Sequence, residues 1–120
     1  MNFQSAVPLL RIFDYAKAKE FYIDFLGFNL DWEHNYDKNF PMYCQLSKGQ
    51  CHIHLSEHFG DCSPGAAIRI EMDDISAYQQ QLLNKNYAYA KPEIVQQPWN
   101  TIEMPINDPF YNRLIFFQQL

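Results

Sequence analysis

The same order of elements is spelled twice along this chain. RIFDYAKAKEFY, from Arg11, lies over RIEMDDISAYQQ, from Arg69, with strand end, capping Asp and helix start in register at an offset of about half the chain. In the first half, Ala6–Phe13 (AVPLLRIF) is an apolar run whose Pro8 suits a strand at an edge or near its own start. Asp14 follows as an N-cap. Ala18, Phe21, Tyr22, Phe25 and Leu26 recur at three-and-four spacing and predict a helix over Tyr15–Leu26, closed by Gly27 in a left-handed conformation. Phe28–His34, Phe40–Ser47 and Gln50–Glu57 read as three strands. They are separated by a polar turn at Asn35–Asn39 and by Lys48-Gly49, and such short connections imply an antiparallel meander.

Phe59–Gly65 carries two Gly and a Pro at the midpoint and reads as the linker, at about 60–65, between halves of about 1–59 and 66–120. The order then begins again. Ala66–Met72 is a strand, Asp73 or Asp74 an N-cap, and Ile75, Tyr78, Leu82 and Leu83 the apolar stripe of a second helix. Strands are expected near Ala90–Gln97, Asn100–Ile106 and Asn112–Gln119, parted by Pro98-Trp99 and the Asp108-Pro109 turn. The expected class is α+β, with two βαβββ repeats in one domain over residues 1–120.

A chain of 120 residues that is 48% hydrophobic and 17% aromatic has material for one core. Ten Phe, eight Tyr and two Trp exceed what that core needs, so some rings are expected to line a cleft or an interface. The net charge of −5 opposes binding to nucleic acid and suits a cationic small molecule. No apolar run is long enough to span a bilayer, and Met1–Ala6 has neither the basic nor the apolar part of an export signal. Cys44, Cys51 and Cys62, odd in number and without CxxC spacing, read as free thiols. Together these point to a cytoplasmic protein with no membrane partner.

Four segments carry a family resemblance: AVPLLRIFD, KEFYIDFLGF, IEMDDISAYQQQL and QPWNTIEMPINDPFYNRLIFF. Together they resemble the vicinal-oxygen-chelate superfamily, which includes glyoxalase I, extradiol dioxygenases, fosfomycin-resistance enzymes and bleomycin-resistance proteins. The resemblance implies two βαβββ halves whose eight strands curl into a curved mixed sheet holding a ligand or metal. One such fold hosts several chemistries, so function has to come from the site residues.

Metal-dependent members place His, Gln or Glu on the first and last strands of both halves. By that resemblance the positions fall at Val7 (or Ala6 or Pro8), near Ala67, at about Ile115 and near His54. Only His54 is a donor, and one donor of four cannot hold a catalytic divalent ion. The expectation is no metal and no cofactor. The rival reading is a glyoxalase- or dioxygenase-like metalloenzyme with an unusual centre at His52, His54 and His58 with Cys51 or Cys62, since residues at i and i+2 of a strand share a face. No GxSxG, Gly-rich phosphate loop or HExxH is present, and nothing in the spacing of Glu57, Glu71 or Glu103 singles out an acid or base. No catalytic residue is assigned.

A cup without metal ligands resembles the bleomycin-resistance branch, as do SAVPLL and QQPWNTIEMPINDP. That likeness implies a homodimer exchanging its first strand, with two interfacial clefts that sequester drug on aromatic faces beside acidic groups. Matched position by position, it marks Asp31, Trp32, Phe40 and Trp99 as ligand-binding. Asn100 and Tyr111 stand where the branch carries glycines. A non-glycine at 111 is expected to change the turn's backbone and to set a ring at the cleft mouth, which adds Tyr111 to the ligand-binding set. A third possibility is a scaffolding domain with an inert cleft.

Overall fold

In a computed structural model, residues 1–35 and 37–120 are described. Tyr36, inside the turn expected at 35–39, lies outside the described residues. The described elements are β1 (Leu9–Arg11), α1 (Tyr15–Lys19) running on as a π-helical segment (Glu20–Phe25), β2 (Asn29–His34), β3 (Tyr43–Lys48) and β4 (Cys51–Ser56). The second half holds β5 (Ala67–Glu71), α2 (Ile75–Asn84), β6 (Val95–Gln97), β7 (Thr101–Asn107) and β8 (Arg113–Gln119). They form two four-stranded mixed sheets, ordered β1-β4-β3-β2 and β5-β8-β7-β6, so the second half repeats the topology of the first. In each, the first strand runs parallel to the last and the meander is antiparallel.

The first helix follows the apolar spacing. Asp14 caps it by accepting from Lys17 N–H at 3.1 Å, Gly27 closes it at φ 86°, and Ala18, Phe21, Tyr22, Phe25 and Leu26 are all buried. Its second part widens to i→i+5 bonds, with Leu26 N–H donating to Phe21 C=O at 2.9 Å. The second cap differs from expectation. Asp74 sits at φ 48° and makes no side-chain cap bond, and the orphan Ile75 N–H instead donates to Gln118 Oε1 of β8 at 2.9 Å. Ile75, Tyr78 and Leu82 are buried while Leu83 is exposed, so the stripe is narrower than expected.

Two strands are shorter than their apolar runs. In β1, Pro8 brings no N–H to the ladder and contributes only its carbonyl, which accepts from His54 N–H at 2.9 Å. Of the strand expected at Ala90–Gln97, only Val95–Gln97 pairs; in the stretch before it Tyr87 stacks on Phe25 with ring centroids 4.7 Å apart, and Pro92 C=O accepts from Gln79 of α2 at 3.1 Å.

The buried faces of the helices help to join the halves. Tyr78 Oη donates to Leu26 C=O at 2.6 Å, Lys85 Nζ to Phe25 C=O at 2.6 Å, and Tyr22 Oη to Asp108 Oδ2 at 2.7 Å. One face of each sheet packs on this core, through Leu46, Ile53 and Leu55 in the first sheet and Met104, Leu114 and Phe116 in the second. The other face of each sheet is left open.

The β7–β8 turn keeps the backbone of a glycine turn without the glycine. Tyr111 has φ 68°, and Asn100 in the β6–β7 turn has φ 65°, so the expected change of turn backbone does not occur; the side chains are carried in the left-handed region instead. A Tyr there costs about 1–2 kcal/mol, whereas Asn tolerates the conformation better. Tyr111 is 84% exposed, so its ring returns little by packing. Tyr111→Gly is therefore expected to stabilise the chain by about 0.5–1 kcal/mol, net of glycine's extra freedom when unfolded. A lower melting temperature for Tyr111→Gly would mean that the ring does more than the turn requires.

Candidate functional site

Strand alternation decides what the open face of the first sheet carries. Leu10, Leu55 and Cys44 point to the core, so Leu9, His54 and Gln45, which pair across β1, β4 and β3, point outward. In β2 the register shifts between Leu30 and Trp32. That bulge puts two consecutive side chains, Asp31 and Trp32, on the open face.

Trp32 lies parallel to Tyr43, with centroids 5.9 Å apart and planes 8° apart, and meets the edge of His54 at 5.3 Å. A polar chain runs beneath these rings. Tyr43 Oη donates to His54 Nδ1 at 2.7 Å, His54 Nε2 donates to Gln45 Oε1 at 2.9 Å, and Gln45 Nε2 donates to Asp31 Oδ2 at 3.0 Å. Ser47 Oγ donates to the other oxygen of Asp31 at 2.8 Å. Gln45 Oε1 can only accept, so His54 carries a proton on Nε2, and partial burial together with nearby His52 lowers its pKa below the usual 6.5, which favours the neutral ring whose Nδ1 accepts from Tyr43. The hydrogen bonds from Gln45 and Ser47 hold Asp31 below the ordinary carboxylate range, so it is ionised at neutral pH. The result is a flat ring, 44% exposed for Trp32, beside a fixed negative charge.

The second sheet carries its own ring on its open face. Glu103 is nearly buried; Arg69 donates to it from Nη1 at 3.3 Å and Nη2 at 2.8 Å, Thr101 Oγ1 at 2.7 Å, and Trp99 Nε1 at 3.0 Å. These bonds, that from Arg69 foremost, hold its pKa at about 2. Arg69 lies over the Phe117 ring at 4.4 Å. Trp99 is 58% exposed, its indole N–H tied down and its ring presented.

The five residues read from sequence are thus distributed. Asp31 and Trp32 are together on the first sheet, Trp99 is on the second, and Phe40 sits on the turn before β3 beside a cavity that reaches Arg11. Tyr111, on the β7–β8 turn, borders a different cavity of about 550 Å³ with Phe13, Pro64 and Phe110. Tyr43, Gln45, Ser47 and His54 complete the first platform. Their signal in sequence is the i, i+2 alternation of polar residues along β3 and β4.

The donors do not fit a divalent metal. Both ring nitrogens of His54 are engaged, its β1 neighbour is Leu9, and Ile115 lies between Arg69 and Pro105. Among the described residues, no three His, Cys, Asp or Glu side chains converge as an ion would require. Cys51 cannot join His52 and His54, because alternation turns it to the core side, where it packs half-buried.

A family model described as "Glyoxalase superfamily protein" matches residues 1–120. The chain belongs to the glyoxalase superfamily. No curated protein sequence matches it. Among solved structures, it is similar to the bleomycin resistance determinant encoded on the transposon Tn5, with TM-score 0.74, 17% identity and 98% of each chain covered. It is also similar to a bleomycin-binding protein complexed with bleomycin, with TM-score 0.72, 19% identity, and 98% of this chain and 100% of that one covered. The bleomycin-binding protein of bleomycin-producing Streptomyces verticillus, complexed with copper(II)-bleomycin, gives TM-score 0.69 and 24% identity over 97% of this chain and 96% of that one. Likeness at these identities establishes the superfamily's fold in this chain. Among the described residues no helix is long and apolar enough to cross a membrane.

Proposed function

We propose that this glyoxalase-superfamily chain is a metal-free binding protein that sequesters a flat, cationic aromatic compound of the bleomycin type and breaks no bond in it. The observation that carries this reading is the Trp32–Tyr43 stack set beside ionised Asp31 on an open sheet face. Stacking on such a surface contributes about 0.5–1.5 kcal/mol per ring pair beyond the area it buries, and Asp31 draws a cation to it. Against the metalloenzyme stands the engagement of both His54 nitrogens inside the protein.

The cleft would be completed by a second copy of the chain. One open face per half leaves Trp32 and Trp99 each on half a cup, and residues 1–8 form an arm without regular structure in which Phe3 is 91% exposed. An exchanged N-terminal segment would cover such an arm, and a symmetric dimer would bring the first sheet of one copy over the second sheet of its partner.

Isothermal titration of the metal-free protein with metal-free bleomycin, with tryptophan fluorescence followed in parallel, tests the reading. Saturable binding at about one drug per chain, with a change in fluorescence, is expected. A folded protein that gives neither heat nor fluorescence change would overturn bleomycin as the ligand.

A further inference from the structure

Arg11, the last residue of β1, projects from the same open face as Leu9, in the cross-strand row of Ser56 and Tyr43, one step along that face from the row of Leu9, His54 and Gln45. Its side chain is anomalous. Arg11 is only 9% exposed, its guanidinium lies 4.7 Å from the Phe13 ring centre, and its buried Nη1 donates to no partner among the described residues. No other buried side-chain nitrogen or oxygen among the described residues is left in that state. A buried, charged donor without an acceptor is costly and calls for an explanation, of which an acceptor brought from outside is one.

The neighbouring acids do not serve. Glu57 Oε2 accepts from Tyr15 N–H at 3.1 Å and Oε1 from Met42 N–H at 2.9 Å, and Asp61 accepts from Ser56 Oγ at 2.6 Å. The only ion pair among the described residues is Arg69 with Glu103. Space for an outside acceptor exists: a cavity of about 360 Å³ is lined by Arg11, Phe13, Lys38, Phe40, Met42 and Glu57. Its lining brings together Arg11, a second cation in Lys38, and two phenyl rings. The carboxylate of Glu57 opposes an anion there, but both its oxygens are already engaged by backbone N–H groups.

We infer that the cavity at Arg11 is an anion seat, which takes the oxyanion of an aromatic acid with its carboxylate on the guanidinium and its ring against Phe13 and Phe40. A planar guanidinium matches a carboxylate edge to edge, and Arg11 is held with its guanidinium carbon 4.7 Å from the Phe13 ring centre. The seat is separate from the Trp32 platform, so it stands whether or not bleomycin binds. With both occupied, the open face selects a ligand bearing a cation near Asp31 and an anion near Arg11.

The test titrates the full chain with benzoate, and with benzyl alcohol, acetate and inorganic phosphate as controls, followed by calorimetry and by the shift in melting temperature. Benzoate is expected to bind saturably and to raise the melting temperature, with benzyl alcohol and acetate each weaker by about tenfold or more. Arg11→Gln should weaken benzoate by about tenfold, and Lys38→Gln by a smaller factor of about two to five. Equal binding of benzoate and benzyl alcohol, or benzoate binding unchanged in Arg11→Gln, would overturn the seat. Phosphate binding as tightly as benzoate would overturn the aromatic part of the assignment. If Arg11→Gln does not fold, the comparison of benzoate with benzyl alcohol on the unaltered chain and the Lys38→Gln ratio decide between the same outcomes. Bleomycin binding to Trp32 with no benzoate response refutes the seat alone; the reverse refutes the drug alone.

Discussion

Asn112→Ala is expected to destabilise the chain by about 3–5 kcal/mol, the range of substitutions that break a buried hydrogen-bond network. Asn112 is fully buried, and its side chain joins three parts of the chain: Nδ2 donates to Arg11 C=O and to Asp108 Oδ2, each at 2.8 Å, and Oδ1 accepts from Ala66 N–H at 3.1 Å. Alanine would leave the Arg11 carbonyl and the Ala66 amide without these partners and take one donor from Asp108. That carboxylate would still accept from Tyr22 Oη at 2.7 Å and from the N–H groups of Phe110 and Asn112, both at 2.8 Å. The bonds that go are the ones tying the end of β1 to the start of β5, so the loss loosens one half against the other. Thermal or denaturant unfolding measures it, with a fall in melting temperature of about 10–20 °C for a domain of this size. A loss under about 1 kcal/mol would show that water replaces the side chain and that the halves hold through their helices alone.

This network also explains why part of the family resemblance was legible and what it was worth. The Asp108-Pro109-x-x-Asn112 pattern is strong in sequence because Asp and Asn must both be present to close one turn and fasten three segments. It reports the fold and carries no ligand. The first helix was legible for a similar reason, since its Asp14 cap and its apolar stripe are both local. The second N-terminus was legible in position, with Asp74 at the N-cap, but the group that satisfies it was not, because the acceptor for Ile75 N–H is Gln118, some forty residues away on β8.

The first platform was legible by half. Alternation along β4 puts His52 and His54 on one face, but Asp31 and Trp32 are consecutive, and ordinary pleating would send them to opposite faces. Only the bulge after Leu30 brings both outward, and no Gly or Pro marks it in NLDWEH. Arg11 is harder still. A strand-end arginine reads as a solvated edge, and its burial becomes visible only when Phe13 and the turn before β3 fold over it.

Trp32→Ala is expected to lower the affinity for a stacked cationic ligand by about thirtyfold or more, the effect of deleting a central aromatic anchor, while leaving the fold intact. Trp32 is nearly half exposed and rests on Tyr43 and the edge of His54 from outside the core, so its removal uncovers those two rings and opens no internal cavity. Asp31→Asn should act more weakly and mainly at low ionic strength, because an exposed carboxylate steers more than it holds. Trp99→Ala discriminates the architecture. If each cleft joins the first sheet of one copy to the second sheet of its partner, either Trp variant alone has no intact cleft. A mixed dimer of the two then has one cleft with both substitutions and one with neither. Random exchange of subunits makes about half the dimers mixed, so about a quarter of the full binding capacity should return at unaltered affinity. A cleft built within one chain would return none. Recovery on mixing would thus establish both the dimer and the pairing of its sheets, and its absence with both single variants defective would place Trp32 and Trp99 in the same chain's site.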